Sequence, residues 1–154
     1  MAKGFIDKEE SNDNTKEFVK GEVDYEQYFS FIKSVTSKAS GNYTDYVARL
    51  NELNASKVDV SRLTTAAIGI SAEAGEFAEI VKKILFQGKP FNEDNKHHMI
   101  VELGDIVWYI VQACIALDVS LDEVVFYNVE KLLKRYPEGV FDVFKSENRQ
   151  EGDI

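Results

Sequence analysis

Residues 61–86 read SRLTTAAIGISAEAGEFAEIVKKILF, and the spacing of their apolar side chains decides the fold. Leu63, Ala66, Ala67, Ile70, Ala74, Phe77, Val81 and Ile84 recur mostly at three or four residues. That is the helical period, and it predicts one apolar stripe along a long helix. Lys82 and Lys83 fall near its last turns, Gly88 suits a left-handed cap, and Pro90 prevents continuation. The same period predicts helices over 24–38, 44–54, about 93–117 and 120–136. Ser40-Gly41-Asn42 ends the first, residues 55–60 form a connector, and Pro137 with Gly139 stops the last. Ser120-Leu121-Asp122-Glu123 is a capping-box pattern. No strand alternation, repeat or low-complexity segment interrupts this reading. The expected fold class is all-α, a helical bundle of four to five helices. Residues 1–22 are expected to be a flexible polar N-terminal arm, 23–144 one all-α domain, and 145–154 a polar C-terminal tail.

Charge narrows the partners. The chain has 154 residues, 27 acids against 18 bases and a net charge of −9. Such a balance argues against a broad basic face, so no nucleic acid polymer is expected as partner. Cys114 is the single cysteine, which excludes an intrachain disulfide and fits an intracellular, cytoplasmic setting. No apolar stretch approaches the length of a membrane span, and the opening residues lack the apolar core of a signal peptide, so no membrane partner is expected.

Two acidic motifs lie within the apolar helices. They are Glu73-Ala74-Gly75-Glu76 and Glu102-Leu103-Gly104-Asp105, with twenty-five residues between them. Carboxylates three residues apart share one helix face. An isolated pair of this kind is usually a solvated surface. Here Ala74 and Phe77, and Leu103 and Ile106, belong to the expected inward stripes, so the acids stand beside the core. Four facing carboxylates repel, and a hard divalent cation such as Mg²⁺ is the simplest neutraliser. Gly69, Gly75 and Gly104 each cost a helix about 1 kcal/mol relative to alanine. Close helix approach or space for a ligand would explain them. Glu79 turns further round the helix and is peripheral.

A basic counterpart follows. Asn128, Lys131 and Arg135 recur at three and four residues and share one face of the 120–136 helix. Arginine can grip phosphate oxygens in pairs, and lysine supplies a point charge. A solvated basic edge is the competing explanation. Lys83 stands about two turns beyond Glu76 on the same side.

Taken together, these residues resemble the MazG-like nucleoside triphosphate pyrophosphohydrolases of the all-α NTP pyrophosphatase superfamily. The resemblance is carried by Ala67 to Lys83 with its Glu-Ala-Gly-Glu core, by Glu-Leu-Gly-Asp, and by Asn128-x-x-Lys131-Leu132-x-x-Arg135-Tyr136-Pro137-x-Gly139. It covers roughly residues 62–141, with a first helix at 24–38 in addition. It implies Mg²⁺-dependent cleavage of (d)NTPs between the α- and β-phosphates, giving (d)NMP and pyrophosphate, with Mn²⁺ as a possible substitute. It also implies that Glu73, Glu76, Glu102 and Asp105 bind the metal. Lys83, Asn128, Lys131, Arg135 and Tyr136 fall at positions for phosphate or sugar contacts. Glu76 is the expected catalytic acceptor of the water's proton. A homodimer or homotetramer is implied, and the aromatic surface of Tyr25, Tyr28, Phe29, Trp108 and Tyr109 is compatible with one.

Two other readings compete. A di-iron carboxylate bundle needs Glu-x-x-His motifs, and neither His97 nor His98 has a glutamate three residues before it. These histidines read as exposed residues near a helix start. A non-catalytic helical interaction module accounts for the stripes, but not for two acidic pairs beside the core.

Overall fold

The computed structural model describes residues 24–148. The expected arm at 1–22 and the end of the expected tail, 149–154, lie outside the described residues. Those described are helical with no strand among them, and they divide into two compact units at Ala55 and Ser56. This division falls inside the 23–144 span expected from sequence as one domain.

The first unit holds α1 (Tyr25–Val35), α2 (Lys38–Gly41) and α3 (Tyr43–Ala55). The Asp24 carboxylate caps α1 by accepting the backbone N–H groups of Glu26 and Gln27 at 3.0 and 3.2 Å. The expected helix over 24–38 ends early, at Val35. Thr36 and Ser37 take extended backbone, and Thr36 Oγ1 donates back to the Ile32 carbonyl at 2.6 Å. Hydroxyl side chains that bond nearby backbone compete with helix continuation. Ser37 then caps α2, which includes Ser40 and Gly41, and Asn42 caps α3 through Thr44 and Asp45.

The second unit holds α4 (Val60–Phe86), α5 (Glu93–Leu117), α6 (Leu121–Arg135) and α7 (Val143–Glu147). Asp59 caps α4 by accepting from the Arg62 N–H at 3.1 Å. At its other end the N–H groups of Gln87 and Lys89 both return to the Lys83 carbonyl, around Gly88 at φ 71°. Asn92 caps α5, with Glu93 and Asp94 in the first turn, where acids favour the helix dipole. The helix closes on Asp118 at φ 55°, one of the few residue types that accept left-handed backbone without being glycine. Ser120 accepts from the Glu123 N–H at 3.1 Å and opens α6, as the capping-box pattern predicts. Short α7 crosses the expected boundary at 144/145.

Helices α4 and α5 form the main packed pair, and they run antiparallel. Arg62 reaches Gln112 through Nη1, Gly69 meets Tyr109, and Glu73 stands near Glu102. Ala66, Gly69 and Ile80 are buried from α4, and Glu102 and Cys114 from α5. The burial pattern corrects the expected inward set. Ala67, Ala74 and Leu103 are exposed, while Glu102 takes the seam position. Gly69 is the glycine that close approach requires: a Cβ built on it would stand 2.1 Å from Tyr109 Cε1. Gly75 and Gly104 face open space within the chain, so close packing of α4 on α5 does not explain them.

Helix α5 corrects only the expectation that no apolar stretch approaches the length of a membrane span. It contains an 18-residue window of mean hydropathy 1.7, and by length and composition alone it could cross a membrane. Glu102 and Asp105 divide its apolar run, which is why no single uninterrupted stretch shows in the sequence.

Candidate metal centre

The acidic motifs meet across the α4–α5 seam. Glu73 and Glu76 lie one helical turn apart on α4, and Glu102 faces them from α5. Each offers a carboxylate oxygen, and these atoms lie within 4.8 Å of one another. Oxygens on opposite sides of a Mg²⁺ ion, at about 2.1 Å from it, are about 4.2 Å apart. A small side-chain rotation therefore brings the three oxygens to ligand distance. The donor set is all oxygen, as a hard divalent cation prefers. The three glutamates thus fit such an ion.

Their environments differ. Glu102 is 5% exposed, Glu73 is half-buried and Glu76 is exposed. Burial, and then the charges of Glu76, Asp105 and Glu102 in that order, hold the Glu73 carboxyl above the ordinary glutamate range. Asp105 thus stands within electrostatic reach of Glu73, although it is outside the group of three close carboxylates. Like charges packed this way favour either a proton or a cation between them.

The basic residues are arranged differently from the acids. Lys83 Nζ lies 3.2 Å from Glu79 Oε1, and Lys82 Nζ lies 3.8 Å from the same atom. Glu79 therefore faces the lysines at the end of α4. Asn128, Lys131 and Arg135 lie along α6, with Asn128 exposed and the other two half-buried. Tyr136 caps the end of α6 and packs on Phe141, ring centroids 5.8 Å apart. Val129, Leu132, Leu133, Gly139 and Val140 complete an apolar pocket around these two rings.

One contact at the centre was absent from the sequence expectations. His98 Nε2 lies 2.9 Å from Glu102 Oε1. The signal was available in the four-residue spacing of His98 and Glu102, which places both on one face. A search for Glu-x-x-His motifs passes over it.

A family model described as the MazG nucleotide pyrophosphohydrolase domain matches residues 62–140. The match lies wholly within the second unit. A protein of Mycobacterium phage L5 called Gene 37 protein is 38% identical over 82 residues, which are 53% of this chain and 72% of that protein. No solved structure matches the chain significantly.

Proposed function

This chain belongs to the MazG nucleotide pyrophosphohydrolase domain family, and on that premise we propose that it hydrolyses (d)NTPs between the α- and β-phosphates, with Mg²⁺, to (d)NMP and pyrophosphate. The observation that carries the reading is the convergence of Glu73, Glu76 and Glu102 within 4.8 Å across the α4–α5 seam. When bound, a divalent cation supplies neutralising charge to the phosphates and a more acidic water. Glu73, Glu76 and Glu102 would hold it, with Asp105 beside Glu73 as the fourth acid. Mn²⁺ substitutes because its oxygen preference is similar. Glu76, the most exposed of the three close glutamates, accepts the proton of the attacking water. Lys83, Asn128, Lys131, Arg135 and Tyr136 receive the phosphates and sugar. Lys83 exchanges its Glu79 partner for a phosphate oxygen when the substrate binds.

The proposal includes a homodimer or homotetramer. Val107, Trp108 and Ile115 of α5 and Val125, Phe126 and Leu133 of α6 are exposed in the single chain. A second copy would cover them. A bilayer is the poorer cover for α5, since each central carboxylate costs about 2.5–3.5 kcal/mol there. Free nucleotide as substrate and a lone cysteine support a cytoplasmic setting.

The test is to incubate the protein with each of eight (d)NTPs, with Mg²⁺ or with EDTA, and to assay pyrophosphate. Metal-dependent release is the expected result. No release across the panel overturns the reading and favours a helical interaction module, which the exposed apolar faces of α5 and α6 also support.

A further inference from the structure

His98 stands one turn before Glu102 on α5, with its Nε2 2.9 Å from Glu102 Oε1. The two side chains differ sharply in setting: the Glu102 side chain is 7% exposed and that of His98 is 54% exposed. The imidazole therefore stands on the solvent side of a buried carboxylate. That carboxylate needs a partner, because Glu73 and Glu76 press like charge against it from α4. Neither imidazole belongs to the group of mutually close ligand atoms.

We propose that His98 is a positioning residue that holds Glu102 in its metal-binding orientation. The inference rests on the reading that Glu73, Glu76 and Glu102 bind a divalent cation. An ionised carboxylate has about four acceptor sites. The imidazole, with Nε2 2.9 Å from Oε1, leaves the remaining acceptor sites open to a cation and restricts the rotation of the group. Without His98, repulsion from Glu73 and Glu76 turns the Glu102 carboxylate away from the centre. Partners of this kind typically affect metal affinity by about 10–100-fold when removed. His97 is the internal control. It lies about 100° further round the helix than His98 and cannot share its face.

The experiment measures Mn²⁺ binding to the full chain without nucleotide, by electron paramagnetic resonance, with circular dichroism to establish folding. His98→Ala should weaken Mn²⁺ binding by about 10–100-fold. His98→Gln, which places an N–H donor near the Nε2 position, should restore most of the loss, and His97→Ala should bind as the unaltered chain does. Equal affinity for His98→Ala and the unaltered chain overturns the inference while leaving the metal centre standing. So does failure of glutamine to restore binding. Strong nitrogen coupling to the bound Mn²⁺ in pulsed measurements also overturns it, since His98 would then be a ligand. Absence of Mn²⁺ binding by the unaltered chain overturns the metal centre itself, and the role of His98 with it.

Discussion

The ring of Tyr109 lies directly on the backbone of Gly69. A Cβ at Gly69 would stand 2.1, 2.2 and 2.4 Å from three Tyr109 ring atoms. This contact lets α4 and α5 approach just beyond the carboxylate cluster.

Gly69→Ala should therefore destabilise the chain, although alanine is the better helix former. Overpacking costs about 1–3 kcal/mol, and the helical gain returns about 1 kcal/mol. Gly75→Ala and Gly104→Ala should do the opposite, since nothing lies within 4 Å of the new methyl in the single chain. Each should gain up to about 1 kcal/mol. Urea unfolding of the three variants checks the contrast. A loss at Gly75 or Gly104 would identify a position covered by another copy.

Much of this arrangement was legible in the sequence, and the exceptions have physical causes. Helix period located α4, α5 and α6 closely, and Gly88 and Ser120 marked the end of α4 and the start of α6 because they carry their cap chemistry locally; the caps at Asp59 and Asn92 were not read. The break at Thr36 escaped because a hydroxyl bond to Ile32 competes with a helical pattern that continues past it. The phase of α5 was less legible. Apolar side chains surround Glu102 on both sides, and a residue that faces a partner copy has the same composition as one that faces the core. Leu103 was thus expected inward, and Glu102 is buried in its place. The four acids stood out by spacing, but the separation of Asp105 from the close group of three depends on side-chain geometry across the seam.

The raised carboxyl of Glu73 makes the metal-free chain sensitive to pH. For a carboxylate held above its unfolded value, the stabilising contribution is fully present below the unfolded pKa and is lost as pH rises through the folded pKa. Glu73 should therefore weaken the metal-free fold above the usual glutamate range. Asp59, lowered first by the Arg62 backbone N–H, and Glu138, lowered first by Lys145, act with the opposite sign. The difference between variants isolates Glu73. Without metal at pH 7, Glu73→Gln should raise Tm relative to the unaltered chain, and the gap should close on acidification. The order should reverse in Mg²⁺. A cation at 100 times its Kd adds about 2.7 kcal/mol to the unaltered fold, and Glu73→Gln should lose most of that gain. Thermal unfolding in EDTA and in Mg²⁺ across pH supplies the measurement.

Glu76 and Glu102 should separate chemistry from architecture. Glu76 is exposed, so Glu76→Gln should leave the helices folded while lowering pyrophosphate release by about 10²–10⁴-fold, the usual range for a lost general base. Unchanged turnover at saturating Mg²⁺ would remove Glu76 from the mechanism. Glu102→Gln should also abolish most turnover, but through metal affinity, visible in Mn²⁺ binding without substrate. It should stabilise the metal-free fold as well, since it removes one like charge from the seam.

The proposed assembly makes the last prediction, and it turns on Trp108. This ring is 53% exposed and packs edge-on against Tyr109 at 4.7 Å, so its inner edge is fixed by the chain and its outer face is bare. Large aromatic side chains fixed on one side and bare on the other are what subunit interfaces bury at their centres. Stable interfaces cover about 1,600 Å² in total, and the neighbouring Val107, Val111 and Ile115 extend the bare face along α5. Trp108→Ala should weaken self-association by at least about 30-fold, the equivalent of about 2 kcal/mol for a central aromatic residue. Sedimentation over a concentration series reads this directly. The three atoms nearest a Cβ at Gly69 all belong to Tyr109 and none to Trp108, so circular dichroism should change little. If the unaltered chain sediments as a monomer at all concentrations, the exposed face of α5 requires a different cover, and the proposed oligomer falls.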